Sequence, residues 1–263
     1  MALISGCSDS DSADPPGTTT PASSPPLRLA VIGDSIAYNS ADDCPGCTGF
    51  VDRYADSLAE ATGREVESLN LSQHTGLTLP ALMDQLETSY EEPLSDADAI
   101  IVAIAHNTIE LNSDKPCGTP FEERTSTLED WSVVTEECAT TSAAAHRPEF
   151  DELFSTIASW REGRPTVLRT INKYNDWNGW EDAHLTSDEV QRTVVMHDAW
   201  NEMLCTSAEQ HGFGCADIYG AFNGADGSKP SGDLLADDYT HPSDKGNARI
   251  AEVLVSQGFD PLA

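Results

Sequence analysis

The chain has 263 residues, enough for one domain with a large core, and its 45 acidic against 14 basic residues give a formal charge of −31. A surface of that sign argues against nucleic acid as a partner and disfavours anionic substrates and strongly anionic bilayers. The acidic residues are spread along the chain rather than gathered in runs, which reads as a solvated acidic face.

In chain order, Ile4-Ser5-Gly6-Cys7 looks like a lipobox, with Cys7 as the lipidation candidate. The next twenty residues are almost entirely Ser, Thr, Asp, Pro, Ala and Gly, too polar to bury apolar surface. Residues 1–27 therefore read as an anchor and tether of an exported, cell-surface protein, and residues 28–263 as the folded domain. Leu29 to Ile32 is an apolar run that stops at Gly33-Asp34-Ser35, the pattern of a buried parallel strand emptying into a tight turn. Phe50, Val51, Tyr54, Leu58 and Ala61 recur at helical spacing, and Gly63 closes that helix. Val66 to Leu71 reads as a second strand and Leu79 to Leu86 as a short helix with Pro80 in its first turn. Ala97 to Ala105 is a nearly continuous apolar run, as a central parallel strand should be.

Residues 109–147 fit no element; they read as a long insertion, either a substrate-shaping lid or an inert decoration. Phe150, Leu153, Phe154, Ile157 and Trp160 trace one helix face, and Pro165 to Ile171 gives a fourth strand. Thr186 with Glu189 forms a capping box opening a helix through Leu204. Phe213 to Tyr219 reads as a fifth strand and Ser243 to Val255 as the closing helix. Strands alternating with helices mean βαβ units, a parallel five-stranded sheet and a three-layer α/β/α sandwich.

The turns after the strands carry the chemistry. Ser35 stands at the carboxyl end of the first strand, where open α/β sheets bind ligands. Asp238 and His241 lie three residues apart on a loop ended by Pro242, a spacing that lets a carboxylate hold one imidazole nitrogen and leave the other to take a serine proton. Gly76, in Asn70-Leu71-Ser72-Gln73-His74-Thr75-Gly76, and Asn107, in Ala105-His106-Asn107-Thr108, are donors of the kind that stabilise a tetrahedral oxyanion.

These four blocks, in this order, resemble the SGNH (GDSL-type) hydrolase family over roughly residues 28 to 260. The resemblance implies Ser35 as nucleophile, His241 as base and Asp238 as its acid, with Ser35, Gly76 and Asn107 forming the oxyanion hole. It also implies a flavodoxin-like strand order 2-1-3-4-5, no cofactor, and an ester substrate: a short- to medium-chain acyl ester or lipid, or an acetylated carbohydrate. The third block departs from the family's usual Gly-x-Asn-Asp, since Ala105 and Thr108 flank Asn107. A non-catalytic binding lipoprotein of the same fold is the reading that departure favours. An α/β-hydrolase would need Gly-x-Ser-x-Gly, and Ala37 replaces its closing glycine.

Apart from Cys7 there are six cysteines, and sequence proximity pairs them as Cys44–Cys47, Cys117–Cys138 and Cys205–Cys215. Cys44-Pro-Gly-Cys47 also fits a redox pair or half a zinc knuckle. No His/Asp/Glu cluster has metal-ligand spacing, so no metal is implied. His74 and His106 read as turn histidines near the site, and His146, His184, His197 and His211 as surface or helix positions. Trp177 and Trp180 fit either a substrate-stacking rim or an anchor for their loop. A monomer is expected.

Overall fold

Seven residues, Leu27–Gly33, form strand β1, the second strand of a sheet ordered β2-β1-β3-β4-β5 with every pairing parallel. The computed structural model describes residues 24–74, 76–107, 117, 131–180 and 184–263. The other strands are β2 (Val66–Asn70), β3 (Ala99–Ala103), β4 (Val167–Ile171) and β5 (Gly214–Ala216). Among the described residues eight α-helices link or follow them: α1 (Ser35–Tyr38), α2 (Phe50–Thr62), α3 (Leu79–Gln85), α4 (Glu91–Ser95), α5 (Glu136–Trp160), α6 (Ser187–Gln210), α7 (Ile218–Asn223) and α8 (Asp244–Ser256). The order and direction are those that the family resemblance implies.

β3 is buried at all five positions because helices cover both faces of the sheet. Ile100 and Val102 belong to one apolar layer with Phe150, Leu153 and Phe154 of α5 and Trp200 of α6. Ala99 and Ile101 belong to the other, with Phe50, Tyr54 and Leu58 of α2 and Ile250 and Leu254 of α8. β2, at the sheet edge, is mostly exposed.

Three sequence expectations need correction. Residues 136–147, assigned to a structureless insertion, are the first half of α5, opened by the Thr135 cap. The helix is not evident in the sequence because small residues dominate the segment and Pro148 lies inside the helix, where it normally marks an end. The fifth strand stops at Ala216, since the Asp217 carboxylate accepts from Gly220 N–H and starts α7. The remainder of the insertion, read as a lid or an inert decoration, lies, apart from Cys117 and 131–135, outside the described residues, as do Cys7 and tether residues 8–23, while Leu27, assigned to the tether, is instead the buried first residue of β1. Disulfides join Cys44 to Cys47, Cys117 to Cys138 and Cys205 to Cys215. No helix among the described residues is long and apolar enough to cross a membrane.

His197 and His146 are helical, as expected, but both face inward rather than outward. His197 is fully buried, with Nδ1 donating to Thr193 O at 2.7 Å and its ring against Trp131 and Tyr219. Burial, reinforced by the Lys173 charge, lowers its pKa to about 3. The unfolded chain takes up this proton below pH 6.5 whereas the folded one refuses it, so the stability is full above pH 6.5 and drains as pH falls towards 3. The loss amounts to about 4–5 kcal/mol over that window. Urea titrations at pH 7 and pH 4 should therefore show a steeper acid loss for the wild type than for His197→Gln, which does not titrate. Equal losses in the two proteins would contradict the assignment.

Candidate active site

The carboxyl ends of β2, β1 and β3 lie side by side, which brings the turns after Asn70, Gly33 and Ala103 to one rim of the sheet. Asp34 ties two of these turns together. Its N–H donates to Ala103 O at 2.9 Å, Oδ1 caps α1 by accepting from Ile36 N–H at 3.1 Å, and Oδ2 accepts from His106 N–H at 3.0 Å. Buried, it sits above the ordinary carboxylate range, since desolvation outweighs the nearby His106 and the two amide bonds. The second turn is pinned to the first by Gln73 N–H to Gly33 O at 3.0 Å and by Asn70 Nδ2 to Ala37 O at 2.7 Å.

Gly76 occupies the left-handed region at φ +68°, where a side chain would be strained. Asn107 spends one of its two amide hydrogens on Leu77 O at 3.3 Å, so the Gly76 and Asn107 turns are joined directly. Thr108 lies outside the described residues. His106, a turn histidine as expected, places Nε2 3.3 Å from Asp176 Oδ2 and its ring against Tyr174. Asp176 is buried with Lys173 Nζ at 2.7 Å. Burial alone would raise its carboxyl, but Lys173 and His106 hold it well below the usual range. This buried group braces the third turn from the end of β4.

The fourth block comes from the loop before α8. Ala236 N–H donates to His241 O at 2.8 Å, and Leu235 and Pro242 form an antiparallel bridge, closing the loop at its base. Inside it, Asp238 Oδ1 accepts from Thr240 N–H at 3.0 Å and His241 N–H at 2.9 Å, an Asx-type turn that holds Tyr239 at φ +60°. The buried Tyr174 hydroxyl donates to Thr240 O at 2.5 Å and fixes the loop against the sheet. Burial would raise the Asp238 carboxyl, but hydrogen bonds from the His241 ring and the two amides hold it below its ordinary value.

The result is a continuous chain of polar contacts. Asp238 Oδ2 lies 2.5 Å from His241 Nδ1, and His241 Nε2 lies 2.9 Å from Ser35 Oγ. A carboxylate can only accept, so Nδ1 carries the hydrogen and Nε2 faces the serine hydroxyl as a base. Ser35 is mostly buried at the start of α1, 206 positions away in sequence from the histidine that reaches it. Such an arrangement can take a proton from a hydroxyl and hold the imidazolium that forms.

On the rim beside this loop, Trp177 packs on buried Trp131 at 5.4 Å, which makes it an anchor. Trp180 lies 5.1 Å from Trp177 and stacks at 6.5 Å on Tyr239, an exposed ring. Sequence reasoning missed the bracing roles of Asp34, Tyr174 and Asp176, which reach His106 and Thr240 in distant segments, and of Lys173, which pairs with Asp176. The signal available for Asp34 was its place in the Gly-Asp-Ser block.

A five-stranded parallel sheet with this polar chain at its carboxyl rim defines a hydrolase-type α/β protein. The model of the GDSL-like lipase/acylhydrolase family matches residues 31–249, and the chain belongs to that family. It is accordingly a carboxylic ester hydrolase. Solved structures share the fold. A lipase from a goat rumen metagenome is 19% identical, with 90% of this chain and 100% of that chain covered at a TM-score of 0.65. An acetylxylan esterase from Geobacillus stearothermophilus is 18% identical, with 89% and 95% covered and a TM-score of 0.52. A lipase/acylhydrolase from Enterococcus faecalis is 15% identical, with 88% and 94% covered and a TM-score of 0.52. No curated protein matches the chain.

Proposed function

We propose that the protein hydrolyses carboxyl esters through an acyl-serine intermediate. The observation that carries this reading is the unbroken Ser35–His241–Asp238 chain. Ser35 Oγ attacks the ester carbonyl as His241 Nε2 takes its proton, and the carbonyl electrons move onto oxygen. The backbone N–H groups of Ser35 and Gly76 and the second amide hydrogen of Asn107 are the donors assigned to that oxyanion. His241 then protonates the leaving alcohol as its C–O bond breaks; water next attacks the acyl carbon while His241 takes its proton, and that proton passes to Ser35 Oγ as the Oγ–acyl bond breaks and the acid leaves. No step calls for a metal or cofactor.

The acyl group assigned is short to medium in length. A second reading, carbohydrate O-deacetylation, is favoured by the stacked Trp180–Tyr239 pair beside the Asp238–His241 loop, since aromatic faces suit sugar rings. We place the enzyme at the cell surface, held by a lipid on Cys7 and working as a monomer; the three disulfides support an oxidising compartment.

Turnover of p-nitrophenyl acetate, butyrate, octanoate and palmitate, run beside an acetylated xylo-oligosaccharide, tests the substrate. The expected profile peaks between acetate and octanoate and collapses at palmitate. A sharp maximum at acetate with faster turnover of the acetylated sugar would select the deacetylase reading. A protein inert to the whole set would contradict both.

A further inference from the structure

The His241 imidazole faces two carboxylates rather than one. Asp238 holds Nδ1, and Asp43 Oδ2 lies 3.4 Å from Nε2, the nitrogen that also meets Ser35 Oγ. Asp43 is largely buried, and its own partner is His74, whose Nε2 lies 2.9 Å and 3.2 Å from the two carboxylate oxygens. Both hold fixed positions. Asp43 N–H and Cys44 N–H donate to Ser40 O, and the Cys44–Cys47 bond closes a short loop that starts six residues after the end of α1. His74 stands two residues before Gly76, with its ring against Tyr38 at 5.5 Å and 6.3 Å from the His241 ring.

We propose that Asp43 is a second carboxylate partner of His241, acting on Nε2 when that atom carries the proton, with His74 as the positioning residue that aims it. The proposal rests on the serine-esterase reading. In the resting enzyme the Nε2 lone pair accepts from Ser35, and no hydrogen separates it from the Asp43 carboxylate. Once Ser35 Oγ bonds to the carbonyl carbon and its proton reaches Nε2, the ring becomes positive, and the anion of Asp43, 3.4 Å from Nε2, stabilises that charge. The interaction is unfavourable before proton transfer and favourable after it, which is the differential that lowers a barrier. Asp43 itself neither gains nor loses a proton. The charged or titratable groups around the ring are Asp238 from its own loop, Asp43 from the loop after α1 and His74 from the turn after β2; Asp34 is turned away, towards Ile36 and His106.

The test is the pH profile of kcat/KM for p-nitrophenyl acetate in wild type, Asp43→Asn and Asp43→Glu. An opposite charge within a few ångströms favours the protonated ring, so removing it should move the acid limb of Asp43→Asn down by about half to one pH unit. The plateau should drop about tenfold, and Asp43→Glu should return the limb towards wild type. A plateau loss with an unmoved limb would reduce Asp43 to a loop anchor and overturn the proposal, as would a profile identical to wild type. Should Asp43→Asn fail to fold, His74→Phe keeps the ring contact with Tyr38 but releases the carboxylate; its limb should shift in the same direction, and an unmoved limb would count against the proposal equally. An inert wild type would instead overturn the esterase reading itself, and this proposal with it.

Discussion

Ser35→Ala should abolish ester hydrolysis, lowering kcat/KM for p-nitrophenyl acetate by a factor of about ten thousand or more while the protein stays folded. The size follows from what the substitution removes. Without the hydroxyl no acyl-serine can form, and His241 Nε2, 2.9 Å from Oγ, loses the proton it is placed to take. What remains is binding and oxyanion stabilisation, which catalyse only weakly alone. The fold should not suffer, because alanine is smaller, α1 keeps its Asp34 cap and the β1–β3 pairing is untouched. Steady-state kinetics with a thermal melt on the same sample checks both halves. Residual activity above about one per cent would mean that another group performs the attack.

Gly33→Ala should have the largest effect on the fold. Gly33 is the last residue of β1, and a Cβ built there would lie 2.3 Å from Ala103 O and 2.9 Å from Ala103 C, both backbone atoms of the neighbouring strand. No side chain can rotate away to make room, so β1 and β3 must part just where Asp34 N–H bonds to the same Ala103 oxygen. Overpacking of this kind typically costs about 1–3 kcal/mol, and the contact with rigid backbone places this case at or above the top of that range. For a chain of this size the melting temperature should fall by roughly 10 °C. Activity should fall further than stability, since Ser35 follows two residues later and a shift of about 1 Å at the nucleophile can cost a hundredfold. A variant that melts and turns over like wild type would show that the strands yield freely, contrary to the packing seen.

The sheet was readable in the sequence because both of its faces are covered. A central strand such as Ala99–Ala103 then has to be apolar throughout, and the runs announce themselves. Caps were equally legible: the Thr186 hydroxyl accepts from Glu189 N–H while the Glu189 carboxylate accepts from Thr186 N–H. The site was legible where its residues share a turn, as Asp238 and His241 do, or directly follow the end of a strand, as Ser35 does.

What escaped has a common cause. The inner face of α6 carries Thr193 and Asn201 among its buried residues, and these polar side chains bond to Asn175 and Lys173 in the loop after β4, partners that no local pattern specifies. Asn201, for example, bonds both backbone groups of Lys173, 28 positions away. Asp43 looks like one more acid in an acid-rich chain until folding sets it beside His74 and His241. The first half of α5 was lost for a different reason: it is built from small residues on both faces, and burial of Ala139 and Ala143 leaves little periodic signal.

In the proposed mechanism Ser35 is a nucleophile activated by His241. The most direct measurement is reaction of the wild-type protein with a fluorophosphonate probe, followed by peptide mass spectrometry. One adduct per chain is expected, on Ser35, formed far more slowly in His241→Ala and absent in Ser35→Ala. An unlabelled wild-type chain, or an adduct on another residue, would contradict it.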